Sequence, residues 1–527
     1  MVVTVTPIQT IDANLREAQS LARSGRLVAA RDRCEALKKV APADVRVWRL
    51  AAEIALRGRR PDEALGYLKS AAVLAPDNLA LQLEHAGCLL RLGRRGDALT
   101  LALQLRGCKF DRSELWDALG TLLTHCGRAD YALPLFEKAV QASPTNIDFR
   151  YNLAMAQRMV GALKSSEANL DKVLEARPSD TEAHLARSGL RKQTKERNHV
   201  EELTRAWHML KNSRTGTPVL FALAKELEDL GEYQQSWAFL SCGAARHRRT
   251  FKYDVRTDVE TVDWIMEAFN PLKSQHSGRP DAAPIFIVGM PRTGSTLLER
   301  ILSWRSDVRA AGELTDFAVA LISCARTQST NCSSRRELIT AAATIDSSML
   351  GADYLARVRS LIGSSIRFTD KMPLNYLYCG WLRSALPNAR ILHLTRHPLA
   401  TCYAVFKTLF NQAYPFSYDL GELADYYIAY RRLMDYWHQV LPGQILDISY
   451  ERLVTDPEAQ LKEAFDFCGL EWDPGCLDMS LDTYVSTTAS AVQVRQPIHR
   501  SSVDLWRAYR NELNPVAQRL LAAGIPI

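Results

Sequence analysis

Residues 284–303 read PIFIVGMPRTGSTLLERILS. Ile285–Val288 are apolar, β-branched or aromatic, and bounded by Pro284 and Gly289, which predicts a short buried strand. Leu297, Leu298, Ile301 and Leu302 recur at helical spacing, so a helix starts near Thr296. The turn between them, Met290 to Ser295, is rich in glycine and hydroxyl groups. Strand, glycine turn and helix N-terminus in that order make an anion site. The first N–H groups of a helix lack intrahelical partners, and the helix dipole turns its positive end toward the loop. The stretch therefore asks for a ligand that carries phosphate or sulfate.

Gly289-x-x-x-x-Gly294-Ser295-Thr296 has the spacing of a nucleotide-triphosphate P-loop, but Ser295 stands where that loop needs its lysine. The nearby cation is Arg292, inside the turn. The run P-R-T-G-S-T after an apolar strand resembles the 5′-phosphosulfate loop of sulfotransferases, whose donor is 3′-phosphoadenosine 5′-phosphosulfate (PAPS). On that resemblance Arg292, Thr293, Gly294, Ser295 and Thr296 bind the donor, the last four as a cradle of backbone N–H groups and hydroxyls.

A chain of 527 residues accommodates two or three domains, each with its own core. Its 47% hydrophobic and 24% charged residues are those of an ordinary globular protein. A net charge of +7 is small for this length; it favours anionic ligands slightly and gives no reason to invoke nucleic acid. The eleven cysteines form no C-x-x-C pair and no zinc-spaced cluster, which reads as reduced thiols and a cytoplasmic location. The apolar start at Met1 is followed by Asp12 and Glu17 with no basic segment before it, so no secretory signal is expected. No apolar run approaches the roughly 20 residues of a membrane span.

The N-terminal part repeats. Pro42, Pro76, Pro144 and Pro178 lie on one 34-residue grid, with Phe110 in the remaining slot. Gly25, Gly93, Gly127 and Gly161 share a second, which Gly58 misses by one; Ala30, Ala64, Ala98, Ala132 and Ser166 share a third. This is the tetratricopeptide (TPR) period, a helix pair per repeat. The glycine serves the turn, the small residue permits close helix packing, and the proline ends the second helix. Trp48, Trp116, Phe136, Tyr151 and Leu153 are expected in the inter-helix core. About five repeats occupy 11–180. Residues 181–275 read as a helical cap that includes a further hairpin turning at Gly231. Lys192 to His199 reads as a polar turn with solvated charges. A Pro/Ser/Gly-rich linker, 276–284, leads to a last domain over 284–527.

In that domain strands alternate with helices. Strands are expected at 366–369, 390–395 and 444–449, and helices at 376–386, 420–441 and 458–468. The fold class is thus an all-α repeat solenoid followed by an α/β, P-loop-like domain with a mainly parallel sheet. Parallel strands place their ligand beyond their C-terminal ends, and Arg292, Lys371, Arg396 and Tyr450 each follow a strand end.

Sulfuryl transfer needs an anion cradle, cations at the leaving oxygen and a base for the acceptor hydroxyl; no metal is required. Lys371 in T-D-K-M-P-L-N is similar to the lysine segment of tyrosylprotein and bacterial sulfotransferases. The histidine that follows this lysine by two residues in small-molecule sulfotransferases is Pro373 here. In the tyrosylprotein branch the base is a glutamate 21 residues beyond the loop arginine, and that position is Glu313. The resemblance makes Glu313 the general base, with a pKa expected to rise in a partly desolvated site. Arg396 in L-T-R-H-P-L-A resembles the family arginine for the 3′-phosphate. There His397 replaces the usual aspartate, and Ala404 a usual serine, with Lys407 as a substitute donor at close range. Tyr450 in Y-E-R-L-V, Ser490, and the closing S-S-V-D-L-W resemble cofactor segments. Leu505 stands where a cation is usual, with Arg495 or Arg500 as compensation. His393 and His397, four residues apart across a strand end, are not expected to hold a metal.

Over its whole length the chain resembles bacterial TPR-containing sulfotransferases with a tyrosylprotein sulfotransferase-like domain. The resemblance implies PAPS as co-substrate and an alcohol or phenol acceptor, a peptidyl tyrosine among the candidates. A protein or peptide partner would lie on the concave repeat face. Two alternatives stand beside it: a P-loop kinase or NTPase, and a repeat scaffold with a degenerate nucleotide-binding transferase domain.

Overall fold

The computed structural model describes residues 7–269, 278–329, 332–363, 367–478, 492 and 498–527. The chain divides into two compact units, Met1–Phe149 and Arg150–Ile527. The first unit is built of helix pairs: Pro7–Arg23 with Leu27–Val40, Val45–Arg57 with Pro61–Leu74, Leu79–Arg91 with Arg95–Leu105, and Ser113–His125 with Ala129–Ala142. Gly25, Gly93 and Gly127 turn the chain within three of these pairs, at φ +78°, +70° and +78°. The fourth turn explains the slipped grid. Gly58 keeps φ −79°, and Arg59 takes the left-handed place at φ +55°.

Ala30, Ala64, Ala98 and Ala132 are each 0% exposed, as the third grid requires. The aromatic residues expected in the inter-helix core are less internal than that expectation. Phe136 is buried, but Trp48 lies half-buried with Nε1 donating to the Pro42 carbonyl at 2.7 Å. Trp116 is half-buried too, edge-on to Phe110 at 4.6 Å.

The second unit opens with helices that continue the pattern. Ser166 is fully buried, its hydroxyl donating to the Ala154 carbonyl at 2.7 Å; Leu153 is buried and Tyr151 half-buried. Thr217–Asp229 and Tyr233–Arg248 form the expected hairpin, with Gly231 at φ +82°. The non-helical turn 192–199 keeps Lys192, Lys195, Glu196 and Arg197 exposed, as its composition implies. Arg197 pairs with Glu167 at 2.7 Å, and the His199 backbone N–H and Nδ1 both meet the fully buried Glu226. The first two residues of the expected linker, 276 and 277, lie outside the described residues.

Five strands follow: β1 (Pro284–Gly289), β2 (Val308–Ala310), β3 (Arg367–Asp370), β4 (Arg390–Thr395) and β5 (Ile445–Ser449). They form one sheet, ordered β2-β3-β1-β4-β5, and every described pairing is parallel. β1 is central and wholly buried. Phe286 and Val288 point into one core with Phe368 and Ile391, while Ile285 and Ile287 enter the other with Leu392, Leu394 and Ile448. A strand covered on both faces reads as a continuous apolar run, as β1 does. β2 escaped the sequence reading because three residues, Val-Arg-Ala, show no alternation. The helix expected over 376–386 is instead a tight 3₁₀ turn, Pro373–Tyr378, followed by Cys379–Ala385. Leu420–Val440 and Pro457–Cys468 match their predicted helices closely.

Candidate active site

The loop after β1 is shaped by close approach. At Gly289, φ +141°, a Cβ would lie 2.6 Å from the Leu394 carbonyl oxygen of β4. Gly294, φ +102°, precedes the helix Ser295–Leu302, and a Cβ there would strike the Tyr450 ring at 2.5 Å. Glycine at both positions lets the loop lie directly against β4 and the Tyr450 ring. Thr293 turns its hydroxyl inward to the Met290 carbonyl at 2.8 Å, and Ser295 and Thr296 are buried. Arg292 adopts φ +67°, rare for a residue with a side chain. Burial, and then the Arg396 guanidinium nearby, lower its pKa to about 10, so it remains a cation at neutral pH.

β3 delivers Lys371. It is fully buried, and its Nζ donates to Glu313 Oε1 at 2.5 Å, the Glu313 side chain being 43% exposed. The proposed base and cation are thus one ion pair, more open to water on the glutamate side than the sequence reading expected. Beside it Asp370 is completely enclosed, accepting from the Tyr354 hydroxyl at 2.8 Å and the Asn375 amide at 3.2 Å. Burial pushes its carboxyl up to about 8.

From β4, Arg396 lies against the same loop. Its Nη1 donates to the Arg292 carbonyl at 3.0 Å, Nη2 to the Ser502 carbonyl, and its guanidinium sits 4.6 Å from the Tyr450 ring centre. Among the described residues its Nε is buried without a hydrogen-bond partner. Burial lowers its pKa. Tyr450, first residue after β5, shares a 2.6 Å hydrogen bond with Ser502. The closing segment therefore returns to the loop, and its Trp506 stacks on His397 at 4.6 Å.

Several expectations resolve differently. Lys407 cannot replace the serine missing at Ala404, because its Nζ is paired with Glu228 of the Thr217–Asp229 helix at 2.6 Å, where Tyr403 also donates. Arg500 donates to the Thr455 carbonyl at 2.8 Å instead of supplementing Leu505. Ser490 and Arg495 lie outside the described residues. Asp447, which ends the Ile445-Leu446-Asp447 run of β5 and which a P-loop NTPase would turn to magnesium, accepts from His393 at 2.7 Å and His438 at 3.1 Å. His393 uses its other ring nitrogen on Tyr430, so each nitrogen of that buried imidazole is already engaged.

Two contributors went unread in the sequence. Glu299, on the loop helix, is 0% exposed and accepts from Gly312 N–H at 3.0 Å and the Thr369 hydroxyl at 2.9 Å. It looks like an ordinary polar-face residue until β2 and β3 are in place. Arg158, on the repeat-type helix Ile147–Val160, adds to the positive field at Arg292, and its Nε is buried without a partner among the described residues. No local pattern marks it.

Comparison with known proteins matches residues 284–474 to the sulfotransferase family, and residues 55–122 and 126–190 to the tetratricopeptide repeat. An uncharacterized protein of Aquifex aeolicus is 28% identical over 78% of this chain and 55% of its own length. Protein-tyrosine sulfotransferase A of Caenorhabditis elegans is 24% identical over 42% of this chain and 60% of its own length. The chain thus spans little more than half the length of these relatives. The sulfotransferase domain of the Synechococcus PCC 7002 olefin synthase, a solved structure, aligns with 47% of this chain and 96% of its own at 20% identity, TM-score 0.31.

Proposed function

The chain joins tetratricopeptide repeats to a sulfotransferase-family domain, and we propose that it is a PAPS-dependent sulfotransferase acting on a hydroxyl acceptor. One observation carries this reading: Arg292, Lys371, Arg396 and Tyr450 follow the C-terminal ends of four parallel strands, with Glu313 paired to the lysine. The residues fit a doubly anionic donor. Arg292 and Arg396 bring two cations to the loop, and among the described residues Arg396 keeps a buried Nε donor unused.

PAPS, when bound, supplies an activated sulfuryl group and a phosphate leaving group, which is the whole of its chemistry here. The protein positions and neutralises. The loop N–H groups and Arg292 hold sulfate-end charge, and Arg396 with its planar fork holds the 3′-phosphate. Glu313 takes the proton of the acceptor hydroxyl as its oxygen attacks sulfur. Lys371, already in contact with Glu313, keeps that carboxylate oriented and faces the charge that develops on the leaving oxygen.

A peptidyl tyrosine is the acceptor we favour. The glutamate position and the likeness to a protein-tyrosine sulfotransferase support it. The first unit offers a groove of about 870 Å³, lined among others by Arg16, Arg46, Arg49, Glu84 and Arg91, as the place to recruit a protein or peptide. The test is transfer of labelled sulfate from PAPS to tyrosine peptides and simple phenols, with binding of PAP and ATP measured in parallel. Tighter binding of ATP with phosphate release would sink this reading and favour an NTPase.

A further inference from the structure

We propose that Glu299 is a positioning residue that fixes the general-base turn against the lysine segment and ties both to the donor loop. This rests on the sulfotransferase reading for its catalytic consequence, but not for its geometry.

Glu299 lies four residues into the helix that begins at Ser295, one turn beyond the anion cradle. It is 0% exposed in a core of strands. A carboxylate so placed loses its hydration and needs hydrogen bonds to answer it. Its Oε1 receives two, from Gly312 N–H at 3.0 Å and Thr369 Oγ1 at 2.9 Å. Each donor sits next to a reacting group. Gly312 precedes Glu313, and Thr369 lies two residues before Lys371.

The turn is built to make this contact. Gly312 has φ +72°, although nothing lies within 4 Å of where a Cβ would be. Glycine is needed there for the left-handed backbone and not for space. That conformation lets Gly312 give its N–H to Glu299 while its carbonyl accepts from Lys371 N–H at 2.9 Å. The neighbouring Ala311 N–H donates to the Thr369 carbonyl at 3.1 Å. The base turn therefore continues β2 alongside β3, clamped from the loop helix by the Glu299 carboxylate. Glu313 itself is a half-exposed side chain at a turn, and its carboxylate alone does not set its distance from the cradle. Glu299 does, by referring the turn to the same helix whose N-terminus holds the anion. Placement errors of about 1 Å cost on the order of 100-fold in rate.

The experiment compares wild type, Glu299→Ala, Glu299→Gln and Thr369→Val in the full chain. Hydrogen exchange is followed at segments 308–316, 367–375 and 289–296, together with PAP affinity and transfer kinetics. Glu299→Ala is expected to speed exchange in the first two segments at least tenfold and to lower kcat about 100-fold. KM for PAPS and PAP affinity should change less than threefold. Glu299→Gln, whose carbonyl can still accept both bonds, should restore much of the protection and rate. Thr369→Val removes one bond and covers the case in which Glu299→Ala does not fold; it should give an intermediate effect. Unchanged exchange at 308–316 and 367–375 in a folded variant overturns the positioning role. A wild type that transfers no sulfate while the exchange pattern holds overturns the sulfotransferase reading and leaves the clamp standing.

Discussion

Replacing Glu313 by glutamine removes a charge and the proposed base while keeping shape, and its effects on rate, stability and anion binding should diverge. Loss of a general base lowers turnover by roughly 10²–10⁴-fold, or about 2.7–5.4 kcal/mol at 1.36 kcal/mol per decade. Stability should fall less. Lys371 is fully buried, and its ion-pair partner among the described residues is the Glu313 carboxylate at 2.5 Å. Stripping one member from a fully buried pair costs about 3–5 kcal/mol. The glutamate side is 43% exposed, so water screens the pair and about 1–2 kcal/mol is the fitting magnitude. Anion affinity should move the other way. Without the carboxylate, Lys371 offers its whole charge to a ligand, and relief of about 1 kcal/mol of repulsion tightens PAP about fivefold. Labelled-sulfate kinetics, thermal unfolding with and without PAP, and PAP titration read the three quantities separately. A glutamine variant that binds PAP and keeps more than a tenth of wild-type turnover would refute Glu313 as the base. Weaker PAP binding would refute the electrostatic account of the pair.

Other outcomes follow from single residues. Arg396→Ala should weaken PAPS about 10–100-fold, the worth of a charge-assisted pair, while adenosine 5′-phosphosulfate, which lacks the 3′-phosphate, loses less than threefold; equal losses in a titration of both would remove Arg396 from that phosphate. Arg59→Gly should stabilise the first unit by about 0.5 kcal/mol, since glycine relieves a left-handed φ that costs other residues about 1–2 kcal/mol but gives some back as unfolded-state entropy; a lower denaturation midpoint would contradict this. Asp447 gives a pH test. Burial pushes its carboxyl up, but hydrogen bonds from His393 and His438 outweigh this and hold it well below 3.8, while the same bond raises His438 above 6.5. The depressed carboxylate contributes stability that is lost as pH falls through its folded value; the raised imidazole contributes stability that is lost as pH rises through its own. The melting-temperature loss of Asp447→Asn should therefore be largest between about pH 4 and 6.5 and shrink toward pH 8.

The sheet's centre was legible because its physics is local. β1 is a continuous apolar run ended by glycine, and the repeat grids record turn, packing and stop positions that each helix pair needs independently. What stayed hidden depends on partners far along the chain. β2 is a strand only because Val308–Ala310 pair with β3, and Glu299 is a clamp only because that pairing brings Gly312 and Thr369 to it. Lys407 shows the reverse error. Proximity in sequence to Ala404 suggested a substitute donor, yet Glu228, some 180 residues earlier, claims it. Charged side chains go to the nearest opposite charge in space, and sequence distance says little about which that is.

The two ends of the proposed donor site differ in how their charge is held, and this has a consequence for Arg396. At the sulfate end the load is shared by the loop N–H groups, Arg292 and Lys371. At the 3′-phosphate end Ala404 brings no hydroxyl, Leu505 no cation, and Lys407 and Arg500 are committed to Glu228 and Thr455. Among the described residues, what remains is Arg396, and two of its nitrogens already hold the Arg292 and Ser502 carbonyls, with Tyr450 against its face. Those bonds are not competitors of the ligand. They fix the guanidinium plane and leave Nε as the buried donor without a protein partner. They also couple the ends: Arg396 grips the backbone of the residue that serves the sulfate. A ligand that engages Arg396 therefore steadies Arg292 in its strained φ +67° conformation. On this reading Arg396→Ala lowers kcat with PAPS as well as affinity, and a purely affinity-linked loss would show that the Arg292 carbonyl contact does not transmit.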